Sequence, residues 1–226
     1  MVPALVLLTI LVLLLVNALL ERRAARARKY ALPTPFDAAS EVYYHPGHAW
    51  ARPTPDGLVT VGATDFASHF AGVLERVVLP PAGRRLGVGD RAWTLISKRG
   101  RRLDQLTPLS GKVVAVNEQL RGDPALAQGE PYGEGWILRL RPRSRRAELR
   151  GLLHGRTALA WRDAVRNSLG GPSPLGALSQ DGGEWIPGFG DRLDDAAWER
   201  AHRELFSSDH DESRNRTTST ESEGEE

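Results

Sequence analysis

Ala92-Trp93-Thr94-Leu95-Ile96-Ser97, then Lys98-Arg99-Gly100-Arg101-Arg102, then Leu103-Asp104-Gln105-Leu106: the reading of this chain turns on these fifteen residues. Two short runs rich in apolar and β-branched residues flank a charged pentapeptide, which predicts strand, tip and return strand. Gly100, at the centre of the tip, supplies the positive φ that a tight hairpin demands. The same grammar extends outward. Asp56-Gly57 separates residues 49–52 from 58–61, a second hairpin signal, and Thr64 can cap a helical turn carrying Phe66, Ala67 and Phe70 that stops at Gly72. Residues 73–79 read as a strand ended by Pro80-Pro81, 113–116 as another, and 136–141 as the last. Short strands with a turn every eight to twelve residues or so indicate a compact all-β barrel or sandwich.

The chain has 226 residues and no cysteine, which excludes a disulfide scaffold, a thiolate metal site and a cysteine nucleophile. A net charge of +2 singles out no partner class, but it conceals an asymmetry. Residues 207–226 hold seven carboxylates against Arg214 and Arg216, with almost nothing apolar to bury, which predicts an acidic disordered tail. At the other end, residues 2–20 form an apolar run broken only by Pro3, Thr9 and Asn17. As a helix it would span roughly 28 Å, the hydrocarbon thickness of a bilayer. The cations that follow, Arg22, Arg23, Arg26, Arg28 and Lys29, predict that the rest stays cytoplasmic. The expected layout is a transmembrane helix (1–20), a basic juxtamembrane linker (21–40), a β domain (41–143), a helical appendage (144–206) and the tail (207–226). The appendage is expected from helical spacing over 147–169, and from a second helix opened by Asp194 or Asp195 with Ala197, Trp198, Ala201 and Leu205 on one side.

The residues of the β domain also resemble a known family. Tyr44-His45-Pro46-Gly47-His48-Ala49-Trp50, Val59-Thr60-Val61-Gly62-Ala63-Thr64-Asp65-Phe66-Ala67, Pro108-Leu109-Ser110-Gly111-Lys112-Val113-Val114-Ala115-Val116-Asn117 and Pro131-Tyr132-Gly133-Glu134-Gly135-Trp136 stand in the order and spacing of the H protein of the glycine cleavage system. The resemblance implies a mainly β, lipoyl-domain-like barrel-sandwich hybrid. It also implies a lipoyl group on a lysine at a hairpin tip, which shuttles an aminomethyl group between the other proteins of that system. The family's lysine stands eight residues before the equivalent of Pro108, and that position is Gly100; the glutamate three residues earlier is Ser97.

Amide attachment needs a primary amine on an exposed tip, and a guanidinium cannot replace it. Of the three lysines, Lys29 adjoins the apolar run, Lys112 falls in a turn-to-strand segment, and only Lys98 lies near the tip. The sequence therefore favours a membrane-anchored, non-catalytic binding or scaffold module without a prosthetic group, docking an unknown protein, with glycine cleavage or lipoate-handling proteins as candidates. The alternative is a lipoyl carrier modified at Lys98. Arg99, Arg101 and Arg102 read as a solvated tip first and a docking tip second, with no aromatics interleaved for nucleic acid.

Other constellations are weaker. His45 and His48 lack a third metal ligand nearby. Asp65, Ser68 and His69 crowd one helical turn with nothing to orient a nucleophile. Trp161, Trp185 and Trp198 are expected to be the appendage's core.

Overall fold

The computed structural model describes residues 41–169 and 188–206. The expected membrane helix, its linker, the acidic tail and Trp185 lie outside them. Among the described residues no helix is long and apolar enough to cross a membrane.

Among the described residues nine strands form two antiparallel sheets. The larger contains β1 (Tyr43–His45), β2 (Ala49–Pro53), β3 (Val59–Ala63), β5 (Arg85–Leu86), β8 (Gly111–Val116) and β9 (Leu138–Arg141), in the order β1-β2-β3-β9-β8-β5. The smaller contains β4 (Leu74–Val78), β6 (Arg91–Ser97) and β7 (Arg102–Leu106), in the order β4-β6-β7. Alternation explains how the chain was sorted. Leu138 and Leu140 of β9 are buried while Arg139 and Arg141 face out, so at this strand one side is core and the other is wet; β3 is buried at all five positions, its Gly62 lying opposite Trp50 in a second buried cluster with Tyr44 and Ala158. By contrast β6 is buried from Ala92 to Ser97, because it is the middle strand of its sheet and is covered on both faces. The fully buried core joins Val59, Val61, Leu95, Leu103, Leu109 and Leu140. Truncating any one of these leucines to alanine costs about 2–5 kcal/mol through lost transfer energy and the cavity left behind.

The two hairpins and the capped turn form where the sequence puts them. Helix α1 (Asp65–Phe70) is capped by Thr64, whose Oγ1 accepts from the Ala67 amide at 3.3 Å. Two short strands, β1 and β5, and two single turns, α2 (Gln119–Gly122) and α3 (Leu126–Gly129), carry too few residues for a periodic signal and were missed. From α3, the side-chain amide of Gln128 donates to the carbonyls of Ser68 (2.9 Å) and Gly72 (2.8 Å), which fixes the α1–β4 corner. The helical pattern expected over 147–169 is split into α4 (Arg145–Leu149) and α5 (Arg156–Leu169), with Gly151 and Gly155 in the break. A 3-10 turn (Phe189–Arg192) and α6 (Asp195–Phe206) follow.

Candidate functional site at the β6–β7 tip

Strands β6 and β7 pair with Leu95 opposite Leu103 and Ile96 opposite Arg102. Beyond this pair the Ser97 amide donates to the Arg101 carbonyl at 3.0 Å, and the Gly100 amide donates to the Ser97 carbonyl at 2.9 Å. The connection is therefore three residues, Lys98, Arg99 and Gly100, closed by a glycine at φ 78°. This is the three-residue hairpin in which a left-handed glycine follows a turn, so Lys98 and Arg99 occupy its two corners. The Lys98 amide also donates to the Val73 carbonyl at 2.8 Å, which ties the first corner to the chain entering β4. Its side chain is exposed and has no hydrogen-bond or ion-pair partner among the described residues. A side chain at Gly100 would meet open space, but the left-handed backbone disfavours one there.

The three tip arginines do not behave alike, and the solvated tip expected from sequence is only partly present. Arg102 is exposed. Arg99 donates to the Asp191 carbonyl at 2.5 Å. Arg101 is 9% exposed. Its guanidinium donates to the carbonyls of Gly190 (2.5 Å) and Leu193 (2.8 Å), reaches the Asp195 carboxylate at 2.7 Å and lies 5.6 Å from the centre of the Trp198 ring. Arg101 is thus unavailable as a docking contact. The guanidinium beside it holds the Asp195 carboxyl below the usual carboxylate range, by hydrogen bond first and charge second.

The segment that receives these arginines is stitched to α1 as well. The Asp191 carboxylate accepts from the Val73 amide at 2.8 Å, and the Trp198 indole donates to the Phe70 carbonyl at 3.1 Å. Phe189, Trp198 and Phe206 pack against Phe66 and Phe70 with ring centres 5.1 to 6.1 Å apart. The appendage therefore covers the hairpin and α1. No sequence signal pointed to the Arg101 clamp, because two of its three acceptors are backbone carbonyls about ninety residues away. Gly190 makes the closeness visible: a Cβ there would fall 1.8 Å from the Phe70 carbonyl oxygen. Gly190→Ala is expected to cost about 1–3 kcal/mol by overpacking, read as a lowered unfolding midpoint in urea.

The remaining candidates take structural places. His45 Nδ1 accepts from the Gly47 amide at 3.0 Å, and His48 is buried against Phe66, Trp161 and Phe206 at 4.5 to 5.1 Å. Asp65, Ser68 and His69 point to different partners: the Tyr132 hydroxyl donates to Asp65 (2.8 Å), Ser68 donates to the Asp65 carbonyl (2.9 Å), and His69 accepts from the Gly188 amide (3.3 Å). Trp161 and Trp198 do not build a separate core for the appendage as the sequence predicts; Trp161 packs against Tyr44 and His48, and Trp198 against Phe70, all residues of the β domain.

Residues 42–161, more than half of the chain, match the model of the family described as Glycine cleavage H-protein. The chain belongs to that family. A glycine cleavage system H protein of Chromobacterium violaceum is 39% identical over 114 residues, covering 50% of this chain and 88% of the relative. One from a Psychrobacter species is 42% identical over 103 residues, covering 46% and 81%. Among solved structures, the glycine cleavage system H protein of Mycobacterium marinum is 33% identical, with a TM-score of 0.48, covering 57% of this chain and 98% of that one. In this H-protein-family chain the strap over the tip, residues 188–206, lies beyond the matched segment.

Proposed function

We propose that this chain is a non-enzymatic carrier of the H-protein type, with Lys98 as the amine that receives a lipoyl group. The observation that carries the reading is the exposed Lys98 side chain at a corner of the hairpin tip, tethered through its own amide to Val73. Relatives named as H proteins favour the carrier over the bare scaffold that the sequence alone suggested. The rest of the tip fits the group: neither neighbouring arginine can form the amide, and Gly100 has no side chain to compete.

Attachment joins Nζ to the carboxyl carbon of an acyl-activated lipoate; the activating group leaves, and the ammonium releases two protons. The group would supply a dithiolane on a long arm, able to hold an aminomethyl unit on sulfur. The protein's part is to present Nζ to solvent while β6 and β7 hold the tip still. The burial of Arg101 and the bond from Arg99 to Asp191 keep two of the flanking cations away from that amine. Candidate partners are the other glycine cleavage proteins and a lipoate-attaching enzyme.

The test is incubation of the purified chain with a lipoate-attaching enzyme, ATP and lipoate. Digestion follows with a protease that cuts at acidic residues, because the tip arginines would shred the peptide under trypsin. The lipoyl group is expected on the peptide containing Lys98 and lost in Lys98→Arg. Modification that persists in Lys98→Arg, or none at all in the wild-type chain, contradicts the carrier reading.

A second reading, a docking module without a prosthetic group, is favoured by one observation: the family spacing puts Gly100 at the lysine position. It predicts an unmodified tip that still captures a glycine cleavage protein.

A further inference from the structure

The turn that carries Lys98 buries nothing of its own. Lys98, Arg99 and Gly100 are all exposed. Two backbone bonds between Ser97, Gly100 and Arg101 close it, together with the Ser97 hydroxyl, which accepts from the Arg101 amide at 3.2 Å. An exposed turn without packed side chains owes its order to whatever its backbone is tied to, because nothing else offsets the conformational freedom it gives up.

The outer ties converge on one residue of the strap, Asp191. Its carboxylate accepts from the Val73 amide at 2.8 Å, and the Val73 carbonyl accepts from the Lys98 amide at 2.8 Å. Its main-chain carbonyl accepts from the Arg99 guanidinium at 2.5 Å. Both corners of the turn are thus held by Asp191, the first through Val73 and the second directly. Leu74 pairs with Ser97, so the bond from Lys98 to Val73 carries the β4–β6 pairing one step into the turn. The surroundings are shaped for this carboxylate. Gly72 has a φ of 97°, and a Cβ there would overlap Asp191 Oδ1. The Asp191 amide donates to the Gly188 carbonyl at 3.0 Å, and a Cβ on Gly188 would lie 3.0 Å from the Val73 side chain, so strap and strand start meet backbone to backbone. Oδ1 is buried without a hydrogen-bond partner among the described residues. Desolvating that oxygen is unfavourable, and an apolar side chain would fill the space without the penalty; what the aspartate adds is an acceptor for Val73.

We infer that Asp191 is a positioning residue for Lys98: it touches no reacting atom, and it acts through Val73 and Arg99 to hold the turn in the shape that offers the amine to a lipoate-attaching enzyme. The inference rests on the carrier reading and goes beyond it, because Asp191 lies outside residues 42–161 and the matched domain does not contain it. The strap therefore completes the attachment site. A turn that adopts the competent shape for only part of the time binds its enzyme more weakly by that fraction, whereas the amine, once seated, reacts as before. Loss of Asp191 falls on KM and spares kcat.

The experiment follows lipoylation of the full chain by intact mass, with a lipoate-attaching enzyme, ATP and lipoate, over a range of chain concentrations. Asp191→Ala is expected to raise the KM for the chain roughly fivefold at unchanged kcat, and to speed hydrogen exchange of the Lys98 amide. Asp191→Asn should restore most of both, because its side-chain oxygen still accepts from Val73. Leu140→Ala is the control: it opens a cavity in the core of the other sheet and should leave the KM at its wild-type value. Asp191→Ala with the wild-type KM, a Lys98 amide that exchanges no faster in it, or Asp191→Asn behaving like Asp191→Ala overturns the inference and leaves the carrier reading standing. So does an equal rise of KM in Leu140→Ala, which would make the effect one of general stability. A wild-type chain that accepts no lipoate overturns the carrier reading, and this inference with it.

Discussion

Arg101→Met should lower the stability of the chain by about 2–5 kcal/mol, concentrated in residues 188–206. The ion pair itself contributes little to this figure, because the Asp195 side chain is 89% exposed and water screens it. What the substitution strands are the carbonyls of Gly190 and Leu193, which lose a charged donor; leaving a buried polar group unpaired costs about 1–3 kcal/mol each. The contact with the Trp198 ring adds to the loss. Arg101→Lys should recover only part of it, since one ammonium cannot serve two carbonyls and a carboxylate in the fork geometry of a guanidinium. Native-state hydrogen exchange reads the effect: amides of 188–206 should open more readily in Arg101→Met while those of β8 and β9 stay slow. Uniform acceleration across the sheets, or no change in the strap, would show that Arg101 does not hold it.

Acid should remove a further 4–5 kcal/mol or so through one histidine. Burial pushes the His48 imidazole down to about 3, with His45 adding a smaller repulsion, and His48 Nδ1 has no hydrogen-bond partner among the described residues. Above pH ~6.5 the ring is neutral whether the chain is folded or not, and protonation contributes nothing. As the pH falls below that value the unfolded chain takes up a proton that the folded one refuses. Stability then drops by about 1.4 kcal/mol per pH unit until roughly pH 3. His69 and His202 are also lowered by burial and act in the same direction. Urea unfolding between pH 7 and 4 measures the slope. His48→Asn should flatten it, because asparagine tolerates the φ of 60° at this position and carries no titrating ring. An unchanged slope in His48→Asn would assign the acid sensitivity elsewhere.

Both effects lie where the appendage meets the β domain, and that junction was the part least legible in the sequence. The β6–β7 hairpin was readable because its signals are local: apolar residues on either side of a charged tip, and a glycine where the backbone turns left-handed. The cap at Thr64 and the strand pair around Asp56-Gly57 were readable for the same reason. The helix at Asp195 was visible from its spacing of Trp198, Ala201 and Leu205. Its destination was not. A run of arginines looks alike in sequence whether it is wet or buried, and only the fold brings the carbonyls of 190 and 193 to Arg101. Nor could residue counting decide which residues occupy the corners of the turn. It locates the family's lysine position at Gly100, but a three-residue connection closed by that glycine puts Lys98 and Arg99 at the corners.

The most direct check on the carrier account is the intact mass of the full chain isolated from cells that make lipoate and its attaching enzyme. The account predicts a species heavier than the unmodified chain by one lipoyl group, present in wild type and missing from Lys98→Arg. A single unmodified mass in both would contradict it and leave the hairpin as a docking element alone.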